Sequence, residues 1–119
     1  MKKVLIVDDQ SSILLSLSYL LKRVAAVITS ETMDEARREL SGNKFDLVIS
    51  DLRLTGSDSR EGLELLCHIR STSPETKVVI MSGLGSDDLR EEAYALGALH
   101  YYEKPVDIAH LLSQVQALG

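Results

Sequence analysis

Residues 45–53 read Phe-Asp-Leu-Val-Ile-Ser-Asp-Leu-Arg, and this stretch decides the fold. Its apolar part, residues 47–49, is continuous rather than alternating, which is typical of a strand buried on both faces of a parallel sheet. The run ends at an acid, Asp51. Because open α/β sheets place their chemistry at the carboxyl ends of the strands, we interpret Asp51 as the candidate centre of a functional site.

Four other segments have the character of strands, and most of them also end in polar residues. They are residues 4–7 before Asp8 and Asp9, residues 25–29, residues 78–81 before Ser82, and residues 99–103 before Lys104. The segments between the strands carry apolar residues at helical spacing. Five strands that alternate with five helices predict a doubly wound α/β fold with a parallel sheet.

Several side chains indicate where the helices begin and end. The predicted N-caps are Ser11 or Ser12, Thr32 with Glu35 in a capping box, Ser86, and Asp107. Gly97 indicates a helix end. The third helix is predicted to carry the apolar residues Leu63, Leu66, Cys67 and Ile69. The polar segment 55–60 is the least predictable part of the chain.

Size and composition argue against several classes of protein. A chain of 119 residues with 45% hydrophobic residues fits one domain with a real core, and a formal charge of −5 argues against direct binding of nucleic acid. The single cysteine, Cys67, excludes an internal disulfide, and the apolar runs are too short to cross a membrane. We therefore expect a cytoplasmic protein. Cys67, His68, His100 and His110 lack the spacing of a zinc site and are predicted to be packing or surface residues.

The strand ends bring a distinctive set of side chains to one edge of the predicted sheet. They are Asp8, Asp9, Asp51, Ser82 and Lys104. Neighbouring carboxylates repel one another and raise their pKa values unless a cation joins them. Mg²⁺ fits such a site because it binds carboxylates, keeps waters and accepts phosphate oxygens. A carboxylate beside this ion can attack phosphorus, while a hydroxyl and an ammonium group stabilise the phosphoryl oxygens.

At this point the chain resembles a known family. Val-Leu-Ile-Val-Asp-Asp at 4–9, Asp51 at a strand end, Met-Ser-Gly at 81–83 and Lys-Pro at 104–105 are similar to the receiver domain of two-component response regulators. The resemblance covers essentially the whole chain, so we expect a single receiver domain over residues 1–119 without an output domain. It implies the flavodoxin-like receiver fold with strand order 2-1-3-4-5.

The resemblance also implies a role for individual residues at the metal and phosphoryl site. Asp51 would be phosphorylated by a sensor histidine kinase or a phosphotransfer protein. Asp9 would bind Mg²⁺ directly, or Mn²⁺ in its place, with Asp8 assisting and the backbone carbonyl of Arg53 as a further ligand. Ser82 would contact the phosphoryl group.

Further implied roles concern the end of the fifth strand. Lys104 would be the cationic partner of the phosphoryl group, and its bond to Pro105 would be cis. Tyr101 would be the aromatic switch residue, although Tyr102 competes for that role. One departure lies after Asp51, where the Met-Pro of the family is replaced and Gly62 comes about three residues late. The shape of the 54–61 loop is therefore not predicted.

The function implied by the resemblance is a phosphoryl-accepting signalling switch rather than an enzyme, although it can catalyse its own phosphorylation and dephosphorylation. Phosphorylation of Asp51 would alter the surface of the fourth helix, fifth strand and fifth helix, where a downstream protein, an output domain or a second copy would bind. One alternative is a receiver-like interaction module that works without phosphorylation. Another is a phosphatase of the haloacid-dehalogenase type, but that mechanism needs a second acid where this chain has Arg53.

Overall fold

Five strands and five helices alternate along the computed structural model, which describes residues 1–53, 61–83 and 87–118. The strands are β1 (Lys2–Val7), β2 (Ala25–Ser30), β3 (Leu47–Asp51), β4 (Lys77–Ser82) and β5 (His100–Glu103). The helices are α1 (Ser11–Leu21), α2 (Met33–Gly42), α3 (Glu61–Thr72), α4 (Asp87–Ala95) and α5 (Ile108–Gln116). The predicted doubly wound α/β fold is confirmed.

The strands form one parallel sheet in the order β2-β1-β3-β4-β5, which is the order implied by the resemblance. β3 lies at the centre, and all five of its residues are buried. Successive residues of a strand point to opposite faces, so Val48 packs in one hydrophobic cluster and Leu47 and Ile49 in the other. Both faces are covered by helices, which explains why the apolar run is continuous rather than alternating.

Most of the predicted helix signals are found in the structure. The hydroxyl of Thr32 accepts a hydrogen bond from the backbone N–H of Glu35 at 3.1 Å, and Asp107 Oδ1 accepts one from His110 N–H at 3.1 Å. Gly97 follows α4 with a φ of 104°, a conformation that favours glycine. The predicted cap Ser86 lies outside the described residues.

The predicted cap of α1 is wrong. The N-cap residue is Gln10, which makes no capping hydrogen bond through its side chain, and Ser11 is the first residue of the helix. Asp8 explains the difference, because its Oδ1 accepts a hydrogen bond from the backbone N–H of Gln10 at 2.9 Å. The start of α1 is thus held by the carboxylate of Asp8, a residue of the functional site, rather than by a serine hydroxyl.

Of the apolar residues named for the third helix, Leu63, Leu66 and Ile69 face the core, and Cys67 lies at the surface. Cys67 is exposed, whereas Leu65 is fully buried together with Leu66 and Ile69. Each residue of an α-helix advances about 100°, so the buried stripe through Leu65 and Ile69 leaves Cys67 on the opposite side. The residues of the 55–60 segment lie outside the described part of the chain. Across the described helices, none has the length and apolar character that a membrane crossing requires.

Candidate functional site

Parallel pairing brings the ends of β1, β3, β4 and β5 to one edge of the sheet. Asp8 follows β1, Asp51 ends β3, Ser82 ends β4 and Lys104 follows β5. Carboxylate oxygens of Asp8, Asp9 and Asp51 all lie within 4.8 Å of one another. Ser82 and Lys104 line a cavity of about 340 Å³ together with Asp9 and Asp51. The side chains predicted from the strand ends are thus brought together.

The three carboxylates differ in their contact with solvent. Asp8 is fully buried and Asp51 is 7% exposed, whereas Asp9 is exposed. Burial raises the pKa of Asp51, and the negative charge of Asp8 raises it further. Lys104 opposes this shift through its charge and its hydrogen bond, but the pKa of Asp51 remains raised. The site therefore holds negative charge that the protein groups alone neutralise incompletely.

Lys104 is the cation that joins the buried carboxylates. Its Nζ lies 2.9 Å from Asp8 Oδ2 and 3.2 Å from Asp51 Oδ2. Burial acts to lower the pKa of Lys104, but the hydrogen bonds and charges of the two acids outweigh it and the pKa is raised. Gln10, which the sequence did not identify as a site residue, accepts a further hydrogen bond from Nζ at 3.4 Å. Lys104 is therefore a charged group with a defined position. Its peptide bond to Pro105 is cis.

The donor set of the carboxylate cluster fits Mg²⁺. Its ligands would be carboxylate oxygens, which hard divalent cations prefer, and the exposed Asp9 keeps one side open to solvent. The raised pKa of Asp51 points the same way, because a second cation would relieve the repulsion between Asp51 and Asp8. Arg53 lines the same cavity, and its backbone N–H donates to Asp51 Oδ1 at 3.5 Å. The ligand role of the Arg53 carbonyl stays a prediction.

The two tyrosines of β5 point to opposite faces of the sheet. Tyr101 is 2% exposed and packs in the cluster that includes Ala93 of α4, and its hydroxyl has no hydrogen-bond partner in the described part of the chain. Its backbone N–H donates to the hydroxyl of Tyr94 at 3.1 Å, which ties β5 to α4. Tyr102 packs in the other cluster. Tyr101 thus shares its hydrophobic cluster with Ala93 of α4, while the switch role itself stays a prediction.

Gly62 allows α3 to begin directly against the end of β3. Its backbone N–H donates to the carbonyl of Leu52 at 2.9 Å. A Cβ atom at this position would lie 2.5 Å from the carbonyl oxygen of Asp51 and 2.8 Å from Cα of Leu52, distances that no side chain tolerates. From the sequence, Gly62 could be identified only as a glycine of the family pattern. Its structural role depends on the contact between α3 and the end of β3, which the sequence does not show.

A second group of ionisable side chains lies where α4, β5 and α5 meet. We name this group the His100 cluster, and it consists of Tyr94, His100, Tyr102 and His110. The ring centroid of His100 lies 4.4 Å from that of Tyr102 and 4.6 Å from that of His110. The Tyr102 hydroxyl and His110 Nδ1 are hydrogen bonded at 2.6 Å. Burial, followed by the charge of Asp107 and the proximity of Tyr94, raises the pKa of Tyr102 to about 12.

His100 is the member of this cluster whose protonation the fold disfavours. Burial lowers its pKa, and the positive charges of His110 and Arg90 lower it further. The Tyr94 ring also lies nearly perpendicular to the His100 ring, with the centroids 6.3 Å apart. The sequence predicted that His100 and His110 were packing or surface residues, and it offered no signal that they would meet.

Comparisons with known proteins agree with this fold. The family model for the response regulator receiver domain matches residues 4–116. The response regulator protein PilR of Pseudomonas aeruginosa is 35% identical over 92% of this chain and 24% of PilR. The transcriptional regulatory protein FixJ of Azorhizobium caulinodans is 32% identical over 94% of this chain and 52% of FixJ. The chain thus spans only part of the length of these relatives, 24% of PilR and 52% of FixJ.

The fold is also similar to solved structures of receiver domains. The solution structure of the beryllofluoride-activated NtrC4 receiver domain dimer has a TM-score of 0.88 and 30% sequence identity, and the match covers 99% of this chain and 96% of that one. Proteins of this family are signalling proteins rather than enzymes of the usual kind. With the fold, the strand-end residues and the family match in agreement, the chain belongs to the family of response regulator receiver domains.

Proposed function

We propose that the chain is a phosphoryl-accepting switch in which Asp51 receives a phosphoryl group from the phosphohistidine of a sensor histidine kinase or a phosphotransfer protein. The observation that carries this proposal is the position of Asp51. Its Oδ2 lies 3.2 Å from Lys104 Nζ, and its carboxylate lies within 4.8 Å of those of Asp8 and Asp9. A carboxylate held between a fixed cation and a candidate metal site is arranged for attack on phosphorus.

In the proposed reaction, a bond forms between a carboxylate oxygen of Asp51 and phosphorus. The phosphorus–nitrogen bond of the phosphohistidine breaks, and the nitrogen keeps the electron pair, so the product on Asp51 is an acyl phosphate. The ammonium group of Lys104 would stabilise the phosphoryl oxygens, and the hydroxyl of Ser82 would donate a hydrogen bond to them. Both side chains already line the cavity that contains Asp51.

The metal would be held by the carboxylates of Asp8, Asp9 and Asp51, with the backbone carbonyl of Arg53 as a further ligand. When bound, Mg²⁺ or Mn²⁺ would reduce the repulsion between the anionic carboxylate and the anionic phosphoryl donor. The phosphatase alternative has no support, because Arg53 occupies the position where that mechanism needs an acid.

The test is the reaction of the wild-type chain with acetyl phosphate in the presence of Mg²⁺. Intact mass spectrometry should show one added phosphoryl group, and peptide mapping should place it on Asp51. The same reaction with excess chelator should leave the chain unmodified. If no adduct forms although the chain is folded, the phosphoryl switch is refuted and the phosphorylation-independent interaction module becomes the better proposal.

Added Mg²⁺ should stabilise the folded chain. An ion that binds only the folded state contributes about 2.7 kcal/mol when its concentration is 100 times its dissociation constant. We therefore expect the midpoint of thermal unfolding to rise with Mg²⁺ concentration in the wild type. Asp9→Ala should lose most of the increase, whereas Glu75→Ala, which removes an exposed acid elsewhere, should keep it. An equal increase in Asp9→Ala would contradict the proposed metal site.

We further propose that phosphorylation is transmitted through the surface formed by α4, β5 and α5, with Ser82 and Tyr101 as the responding side chains. Among the described residues of α4, only Ala93 is fully buried, which suits an element that must move. A change from mostly inactive to mostly active requires about 5.5 kcal/mol of differential stabilisation, which charge-assisted hydrogen bonds to a phosphoryl group can supply in large part.

The partners of this surface are part of the proposal. A downstream protein or an output domain would bind there, and a homodimer that forms on activation is a further option, since the similar NtrC4 receiver domain is described as a beryllofluoride-activated dimer. We propose that residues 1–119 act as one receiver domain that does not itself bind nucleic acid. We also propose a cytoplasmic location, where an ATP-dependent kinase would meet it.

The His100 cluster should make the stability of the proposed output surface sensitive to acid. Because the pKa of His100 is lowered in the folded chain, the folded state binds fewer protons than the unfolded state as the pH falls below 6.5. The favourable packing of neutral His100 is therefore present at neutral pH and lost during acidification. A nuclear magnetic resonance titration should give a midpoint below 6.5 for His100.

Unfolding measurements on His100→Phe provide the matching control. This variant should lose less stability than the wild type when the pH is lowered from neutral to well below 6.5, because it has no imidazole to protonate at this position. An unchanged pH dependence, or a midpoint for His100 above 6.5, would contradict the assignment.

A further inference from the structure

One flank of the domain is built from a helix and a strand that contain no charged residue, although the chain as a whole carries a formal charge of −5. We name it the α1–β2 flank, and it comprises the exposed side of α1 and the outer edge of β2. Neither α1, with the sequence SSILLSLSYLL, nor β2, with the sequence AAVITS, contains a charged residue. On α1, Leu15 is 72% exposed and Tyr19 is 61% exposed. Two large apolar side chains thus face solvent on an uncharged helix.

A groove runs between the two elements of this flank. It has a volume of about 460 Å³ and is lined by Leu15, Ser18, Tyr19, Lys22 and Val27. The hydroxyl oxygen of Ser18 is buried and has no hydrogen-bond partner among the described residues. The Nζ of Lys22 lies 5.0 Å from the centroid of the Tyr19 ring, so this cation borders the groove. Apolar surface and an unsatisfied hydroxyl therefore occur together here.

The outer edge of β2 is the second unusual feature. All six residues of β2 pair with β1 on one side, and β2 is the terminal strand of the described sheet. Proteins usually protect such edges with charged residues, proline, bulges or a covering segment, because an open strand can pair with another chain. β2 has no charged residue and no proline, and both Ala26 and Thr29 are exposed.

We propose that the α1–β2 flank is a self-association surface on which two copies of this chain pair their β2 strands in an antiparallel arrangement about a two-fold axis. Leu15 and Tyr19 of α1 would flank this strand pair. A two-fold interface must be complementary to itself. This flank meets that condition, since two negatively charged chains can meet here without placing acids against acids.

The charges at the two ends of β2 favour this particular arrangement. Lys22 and Arg23 precede the strand, Glu31 follows it, and Arg23 and Glu31 are both exposed. An antiparallel pair centred on Val27, with Val27 opposite Val27 of the second copy, sets Ala25 opposite Thr29 of the second copy, and extension of this register brings Arg23 opposite Glu31 of the second copy. A parallel arrangement would instead bring like charges together at both ends.

This interface is separate from the surface proposed for signal output. β2 and β5 are the two opposite edges of the sheet, so a dimer through β2 leaves the α4, β5 and α5 surface free. The inference does not rest on the phosphorylation of Asp51. A six-residue strand edge with part of one helix is small beside the roughly 1,600 Å² of a standard interface, so we expect weak association.

Sedimentation equilibrium of the unphosphorylated chain, over a concentration series into the millimolar range, tests the proposal. The wild type and Asp51→Asn should both show a monomer–dimer equilibrium. Leu15→Glu and Tyr19→Glu replace exposed side chains and should fold normally, but each should weaken the dimer at least about tenfold, since burial of a large apolar side chain contributes about 1.5–3 kcal/mol. Leu99→Glu, a similar change beside β5, should leave the dimer unchanged.

A charge reversal provides the decisive comparison. Glu31→Arg should weaken the dimer because it places like charges together, and Glu31→Arg combined with Arg23→Glu should restore it. A wild type that stays monomeric throughout would overturn the proposal. So would a dimer that is lost in Leu99→Glu and kept in the two α1 variants, since that pattern would locate the contact at the other edge of the sheet.

Discussion

The Asp51→Asn variant should take up no phosphoryl group from acetyl phosphate, and in metal-free solution it should be more stable than the wild-type chain. The first effect follows because an amide does not replace the nucleophilic carboxylate. The second follows because the change removes a charge that burial and Asp8 both disfavour. Lys104 retains its 2.9 Å contact with Asp8 Oδ2, so it is not left without a partner. We expect a gain of about 1 kcal/mol.

The stability advantage of Asp51→Asn should increase as the pH rises. The pKa of Asp51 is raised above 3.8 in the folded chain, so the folded state holds this proton more tightly than the unfolded state. The wild type therefore loses stability as the pH rises through the raised pKa of Asp51. The advantage of Asp51→Asn should be absent well below pH 3.8 and fully developed at neutral pH.

Thermal unfolding in the presence of chelator measures this advantage. A gain of about 1 kcal/mol corresponds to roughly 4 °C in the midpoint for a domain of this size. Glu75→Gln, which neutralises an exposed acid outside the site, should show no comparable gain. A variant less stable than the wild type at neutral pH would mean that the ion pair with Lys104 outweighs the repulsion from Asp8.

Gly62→Ala should destabilise the fold and impair phosphoryl uptake together. The added Cβ would lie 2.5 Å from the carbonyl oxygen of Asp51 and 2.8 Å from Cα of Leu52, which are backbone atoms and cannot turn aside as a flexible side chain can. Either α3 moves away from β3 or the backbone that carries Asp51 shifts. Overpacking of this kind costs about 1–3 kcal/mol, and a shift at Asp51 would disturb its contact with Lys104.

Gly42→Ala is the matched control for this substitution. Gly42 is the last residue of α2, and a Cβ placed there meets no atom within 4 Å. Chemical denaturation of the two variants should therefore show a clear loss of stability for Gly62→Ala and little change for Gly42→Ala. Initial rates of phosphoryl uptake should follow the same order. Equal behaviour of the two variants would show that the start of α3 adapts without cost.

The strands could be predicted because each is a short apolar run with a polar end, and the sheet follows from their alternation with helices. Local signals failed where another group makes the contact or where packing decides the outcome. Asp8 accepts the hydrogen bond from the backbone N–H of Gln10 at the start of α1, and the packing of α3 against the sheet buries Leu65 while Cys67 is exposed. Thr32 was predicted correctly because both residues of its capping contact belong to the capping-box pattern itself.

The residues of the site also divide into those that the sequence could predict and those that it could not. Asp51 and Lys104 could be identified because parallel strands end at one edge, so position along each strand predicts proximity in space. Gly62 and the His100 cluster could not be identified, since their roles arise from contacts between separate elements. The side chain of Tyr101 is directed toward α4 by the register of β5, which the sequence did not fix well enough to separate it from Tyr102.

The double contact of Lys104 has a consequence for metal binding. Asp8 and Asp51, which would help to hold Mg²⁺, already share the ammonium group of Lys104 at 2.9 and 3.2 Å. Metal binding by these carboxylates would then be an exchange of cations rather than a simple addition. A carboxylate that bound the metal would release a donor of Lys104, which could then bind the oxygens of the proposed phosphoryl group. The two acids would thus hold the ammonium group beside Asp51 until the phosphoryl group arrives.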